Sequence, residues 1–154
     1  MIQQQNQKMI SLVPPAAIVN NAAVTVASLD TLGFEYVRIV VYLGATDIAL
    51  TVLKVGESDT DGSYTDITGL RFGTDNNIAG SASTLPSSTD DNKIFEFQID
   101  MRGIKRFLKL AITVGVGTLG AFVTAWAELG RPQTIPIGAA GFGASQVMRV
   151  PAST

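Results

Sequence analysis

Three stretches of this chain place residue types that do chemistry at spacings that could matter. Gly115-Val116-Gly117-Thr118-Leu119-Gly120 fits the pattern G-x-G-x-x-G, in which glycines let a backbone approach a pyrophosphate at the start of a helix. Its surroundings do not fit that use. Residues 121–129 read no better as a helix than as a strand, residues 135–142 hold no acid for a ribose, and too little chain remains for the rest of such a fold. The stretch reads as a hairpin turn. Glu57-Ser58-Asp59-Thr60-Asp61-Gly62 sets oxygen ligands at alternate positions before a glycine, as the first half of a calcium loop does. The closing position holds Thr68 instead of a glutamate, and no helices flank it, so it reads as a loop between strands. Asp100-Met101-Arg102-Gly103-Ile104-Lys105-Arg106 gathers three bases and an acid, which suits a charged connection or a grip on a partner's carboxylates.

The missing residues narrow the field further. The chain has no histidine and no cysteine, which removes Ser-His-Asp and Cys-His catalysis and the common soft metal ligands. Catalysis by carboxylates, lysine or tyrosine stays open but would need tuned pairs that a sequence does not show; the chain reads as a non-enzyme with no catalytic residue, metal or cofactor. A formal charge of −2 offers no basic face for nucleic acid. Charge is unevenly spread: residues 57–91 carry seven acids and one base, Arg71, whereas residues 93–109 carry five bases and two acids. The two runs read either as solvated loops or as complementary patches on neighbouring subunits. Hydrophobic residues make up 46% and charged ones 16%, an apolar balance that points to surface buried between chains or against lipid. Residues 110–127 are 18 positions without a charge, the lower limit for a spanning helix. Gly115, Gly117 and Gly120 split them into two strands and a turn, so no membrane partner is expected. Residues 1–8 are polar and lack the apolar core of a secretory signal.

The elements that must position these stretches are strands. Residues 22–28, 34–43, 48–56, 64–67, 94–99, 107–114 and 121–129 are rich in β-branched and aromatic residues and are bounded by Gly, Asp or Asn. In residues 94–99, Ile94, Glu96 and Gln98 fall on one face and Phe95, Phe97 and Ile99 on the other. Residues 74–92 read as a long polar loop, and Trp126 reads as core rather than as a binding platform. Seven or eight strands without a convincing helix predict an all-β, single-domain sandwich over residues 22–131, jelly-roll-like in form. Residues 1–21 and 132–154 show no strand period and read as extended arms whose apolar anchors, Ile10, Leu12, Val13, Ile137 and Phe142, would dock on a partner.

A resemblance joins these readings. Gly33-Phe34, Leu53-Lys54-Val55 with Glu57-Ser58-Asp59, and Ile67-Thr68-Gly69 look like a pattern in small virion proteins of tailed bacteriophages. So do Asp100-Met101-Arg102-Gly103 with Phe107-Leu108-Lys109-Leu110, and Ala127-Glu128-Leu129-Gly130-Arg131. The resemblance spans residues 20–131 and implies a capsid cement or decoration protein on the virion surface, made in the host cytoplasm. Its implied partners are the major capsid protein and further copies of itself, as a dimer or trimer. The residues expected to meet the shell are Arg102, Lys105 and Arg106 together with the arm anchors. The alternatives are another virion part, such as a head-fibre base or tail component, or a small-ligand or carbohydrate-binding sandwich with Tyr64 and Trp126 lining a groove.

Overall fold

A computed structural model describes residues 6–134 and 138–148. The eight strands among them are β1 (Gln7–Val13), β2 (Leu29–Asp30), β3 (Phe34–Thr46), β4 (Leu50–Ser58), β5 (Thr65–Arg71), β6 (Lys93–Asp100), β7 (Phe107–Val114) and β8 (Ala121–Pro132). A four-residue helical turn, α1 (Gly138–Gly141), follows them. One sheet has the order β1-β8-β3-β6 and the other β2-β7-β4-β5, with every pairing antiparallel. The protein is an all-β sandwich.

Period-two patterning explains why the sheets meet face to face. Val37, Ile39, Val41 and Leu43 of β3 are buried, as are Val123, Ala125, Ala127 and Leu129 of β8. From the other sheet come Leu53 and Val55 of β4 and Leu108, Leu110, Ile112 and Val114 of β7, all in one core. The central strands are thus the most apolar, and the charges lie outside or at the strand ends. In β6 the expected division holds, with Phe97 and Ile99 buried and Ile94 exposed.

The first expected arm is different in the structure. Residues 7–13 form β1, registered from Gln7 opposite Gly130 to Val13 opposite Ala125. Leu12 and Val13, expected to anchor a partner, are 2% and 4% exposed within the chain's own core. Ile10 packs against that core as well. The inward alternation of Lys8, Ile10 and Leu12 was concealed by the surrounding amides and by a bulge between Ser11 and Val13. Residues 22–28, expected as a regular strand, instead run irregularly beside β7. They touch it through an isolated bridge from Ala23 to Thr113 and a bond from Val24 N to Ile112 O of 2.9 Å.

Of the second arm, residues 132–134 and 138–148 are described; Ile137 lies outside the described residues. Phe142 folds back onto the chain itself: its carbonyl accepts the Met9 N–H at 2.9 Å. The approach at the next residue is so close that a Cβ on Gly143 would stand 1.7 Å from Met9 O. The free edge of β1 is therefore covered by the C-terminal segment.

Candidate interaction surfaces

The basic connection between β6 and β7 sits at one end of the sandwich, beside the start of β3 and the end of β4. Arg106 straddles the Asp30 carboxylate, donating from Nε at 2.8 Å and from Nη2 at 2.6 Å. Its guanidinium also lies 4.8 Å from the centre of the Phe107 ring. Lys105 reaches Asp59 at 2.9 Å, and its backbone N–H donates to Glu57 Oε2 at 2.8 Å. The acidic and basic runs of the sequence thus meet within one chain, where the sequence also allowed a meeting between subunits. The Arg106 hydrogen bond holds Asp30 below its ordinary range, and the hydrogen bond to Asp59 raises Lys105. Arg102 differs from its neighbours. It forks onto Asp100 from Nε at 3.0 and 2.9 Å, yet its side chain is 89% exposed. That contact depresses Asp100 to about 2. Of the three bases, Arg102 is the one whose charge stands farthest into solvent.

The neighbouring acidic loop is tied inward. Asp61 accepts from Tyr64 at 2.6 Å and from Ser28 at 2.9 Å, and these hydrogen bonds lower its pKa. With Glu57 and Asp59 turned to Lys105, the carboxylates do not converge, and no group of three acids that could hold a metal exists among the described residues.

The opposite end carries the G-x-G-x-x-G stretch, which joins β7 to β8 as a turn. Asp47, in the β3–β4 connection, accepts the backbone N–H groups of Thr118, Leu119 and Gly120 at 2.9, 2.7 and 2.8 Å. Those donors lower its pKa. Asn20 clasps Gly117 reciprocally, donating to its carbonyl at 2.8 Å and accepting its N–H at 2.9 Å. The turn's donors, which in a nucleotide loop would face phosphate, are consumed by a carboxylate of the same chain. Held this way, the turn presents Val116 and Leu119 to water, 69% and 67% exposed. Phe122 and Ile18 are exposed beside them, because the antiparallel bridge of Val19 to Ala121 sets Ile18 next to Phe122. Among the described residues, no helix is long and apolar enough to cross a membrane.

Trp126 corrects its reading as core. Ala125 and Ala127 take the inward positions, so Trp126 lies half-buried on the outer face of its sheet, its Nε1 donating to Glu128 at 3.1 Å. There it flanks Val40, which is only 1% exposed despite facing outward. Arg38 stands in the next row between Glu96, at 2.8 Å from Nε, and Glu128, at 3.2 Å from Nη1. Tyr64, beside the opposite sheet, lies under Lys109 at 5.6 Å. Tyr64 and Trp126 therefore do not line one groove.

No family model, curated protein or solved structure matches this chain.

One groove is well formed, with a volume of about 410 Å³. It lies between the β5 edge of one sheet and the β6 edge of the other, lined by Leu70, Arg71, Phe72, Glu96, Phe97 and Gln98. A tight hairpin within residues 73–83 overhangs it, bridged from Asn76 to Ala82, with Ile78 at the tip. In sequence, residues 74–92 read as a long polar loop with room for one edge segment, which does not show this hairpin. The pair Asp75 and Arg71, four apart, and the Asn77-to-Gly80 turn were the available signals of local order.

Proposed function

We propose that this chain is a structural virion protein that binds the outside of a bacteriophage capsid lattice and stabilises it as a cement or decoration subunit. The observation that carries this reading is the apolar end of the sandwich. Asp47 and Asn20 hold a glycine-rich turn in one shape, and the outcome of that order is Val116 and Leu119 projecting into water beside Phe122 and Ile18. Ordering apolar side chains in solvent does nothing for a lone subunit; it reduces the entropy a docking partner must remove. Four side chains make a small contact beside the roughly 800 Å² on each partner of a stable pair. A contact of that size becomes effective through repetition over a lattice, where each occupied site adds RT ln(1 + [L]/Kd).

The sheet order supports the same reading. Strands one and eight, two and seven, three and six, and four and five are paired. That is one long hairpin folded over on itself, a winding we read as a jelly roll. In this reading Arg102 steers the approach to an acidic surface, and the apolar end slows release.

Comparing the thermal rupture of particles with and without the subunit, at confirmed full occupancy, tests this directly. Occupied particles should rupture at a higher temperature; equal temperatures would leave a display or host-contact role. The double substitution Val116→Asp with Leu119→Asp should weaken particle binding at least tenfold while the free protein melts as before.

A further inference from the structure

We infer that the free edge of β6 is an acceptor for an extended, uncharged segment of another protein chain, which adds there as a ninth strand. The two sheets have four edges, and three are sealed in identifiable ways. β2 is two residues long. β1 is covered at Met9 by the Phe142 carbonyl and at Leu12, whose carbonyl accepts the Ala27 N–H. β5 is closed by Asp75, whose Oδ2 accepts the N–H of Gly69 at 2.8 Å and of Arg71 at 3.0 Å. β6 has eight residues and pairs only with β3. Among the described residues, no other hydrogen bond reaches its backbone from the side away from β3. Strands of that length left unpaired are ready templates for another chain, and folded proteins ordinarily guard them. Among the described residues, three edges are guarded and one is open.

The direction of the open groups follows from the ladder. Met101 N donates to Glu35 O at 3.0 Å, which sets the odd-numbered residues of β6 toward β3. Alternation then turns the N–H and C=O of Ile94, Glu96 and Gln98 outward. The groove lies along this same edge, with Glu96, Phe97 and Gln98 in its wall and the hairpin tip at Ile78 opposite. With the hairpin on its far wall, such a groove suits one extended segment better than the side-by-side approach of a second β6. Strand addition draws affinity from main-chain hydrogen bonds and selectivity from pockets that take alternate side chains. Leu70, Phe72, Phe97 and Ile78 supply an apolar pocket, and Asn76, Asn77 and Ser83 supply neutral hydrogen-bonding groups. The charges in the wall are already matched: Arg71 holds Asp75 at 2.8 Å, and Glu96 accepts from Arg38 Nε at 2.8 Å. The occupant that complements such a groove carries no net charge and alternates apolar with small polar side chains.

The probe is a fluorescein-labelled nine-residue peptide of alternating threonine and valine, followed by anisotropy and by backbone amide NMR of the full chain. Binding should shift the amides of Ile94, Glu96 and Gln98 and slow their hydrogen exchange. Gln98→Pro removes an outward N–H without touching the β3 ladder, so it should lower affinity at least tenfold with an unchanged melt. Ile78→Asp, at a site 95% exposed where folding has nothing to lose, should weaken binding as well and covers the case in which the proline variant fails to fold. A peptide N-methylated at alternate residues should not bind. No amide response at β6 with millimolar peptide, a response confined to other strands, or equal binding by Ile78→Asp would overturn the inference. Self-association of the protein through β6 in sedimentation would overturn it too, by showing a second copy in place of a peptide.

Discussion

Asp47 shows how one side chain sets the shape of a surface. Its two oxygens take three consecutive N–H groups, so the apolar turn depends on a residue some seventy positions earlier in the chain. The turn's last glycine has the stricter requirement. Gly120 sits at φ +107°, with Val19 O only 2.1 Å from where a Cβ would be. Gly120→Ala should therefore cost about 2 kcal/mol or more through backbone strain, measured by urea denaturation. A loss under about 0.5 kcal/mol would mean that the turn relaxes freely. Leu12→Ala tests β1 in the same assay. Truncating a side chain buried to 2% exposure should cost about 2–5 kcal/mol, whereas a residue on a free arm would show no change. At this scale the sequence was legible for alternating faces and poorly legible for Trp126. A tryptophan flanked by alanines reads as core until the register shows that the alanines hold the inward positions.

Elements were clearest where an apolar run was long and uninterrupted. β3, β4, β7 and β8 were expected within a few residues of where they lie, because each belongs to the centre of a sheet and carries a continuous apolar signal. Edge elements were read unevenly: β6 showed plainly by its alternation, whereas β1 did not. β1 has polar surroundings and a bulge, and the hairpin over the groove depends on hydrogen bonds between residues that only look polar in sequence. Its anchor is Asp75, held by Arg71 and depressed to about 2 from 3.8. Because the folded-state value lies below the unfolded one, this contribution is complete above about pH 4 and disappears as pH falls toward 2. Asp75→Asn should lower the melting temperature at neutral pH and flatten that part of the acid dependence. Melts of both proteins from pH 5 to pH 2 provide the check; parallel curves would show that the pair does not stabilise the hairpin.

At the scale of the whole molecule, composition raised the expectation of surface completed by other chains, and the structure changes which residues could supply one. The expected arms are largely occupied with their own sandwich: β1 completes a sheet and Phe142 seals its edge. All three bases pair with acids of the same chain, and Arg102 alone of them keeps most of its side chain in solvent. Among the described residues the apolar turn, the exposed Arg102 and the β6 edge stand out, features that depend on which groups find partners inside the fold. Residue types alone do not carry that information. Deleting residues 1–13 should accordingly lower the melt sharply or abolish folding, as circular dichroism would record; an unchanged melt would return β1 to the status of an arm.

The pairing of β1 with β8 also imposes an order in time. Among the described strands, β1 is synthesised before all the others and β8 after them. During synthesis Ile10, Leu12 and Val13 must wait, unpaired, while more than a hundred further residues are added. A sheet that closes by joining β1 to β8 cannot assemble piecemeal, so the native fold waits until both strands are available. Refolding should be correspondingly slow, in the range of roughly milliseconds to seconds typical of chains dominated by distant pairings. That interval is when nascent copies stand closest to aggregation, so added chaperone should raise the yield of folded protein.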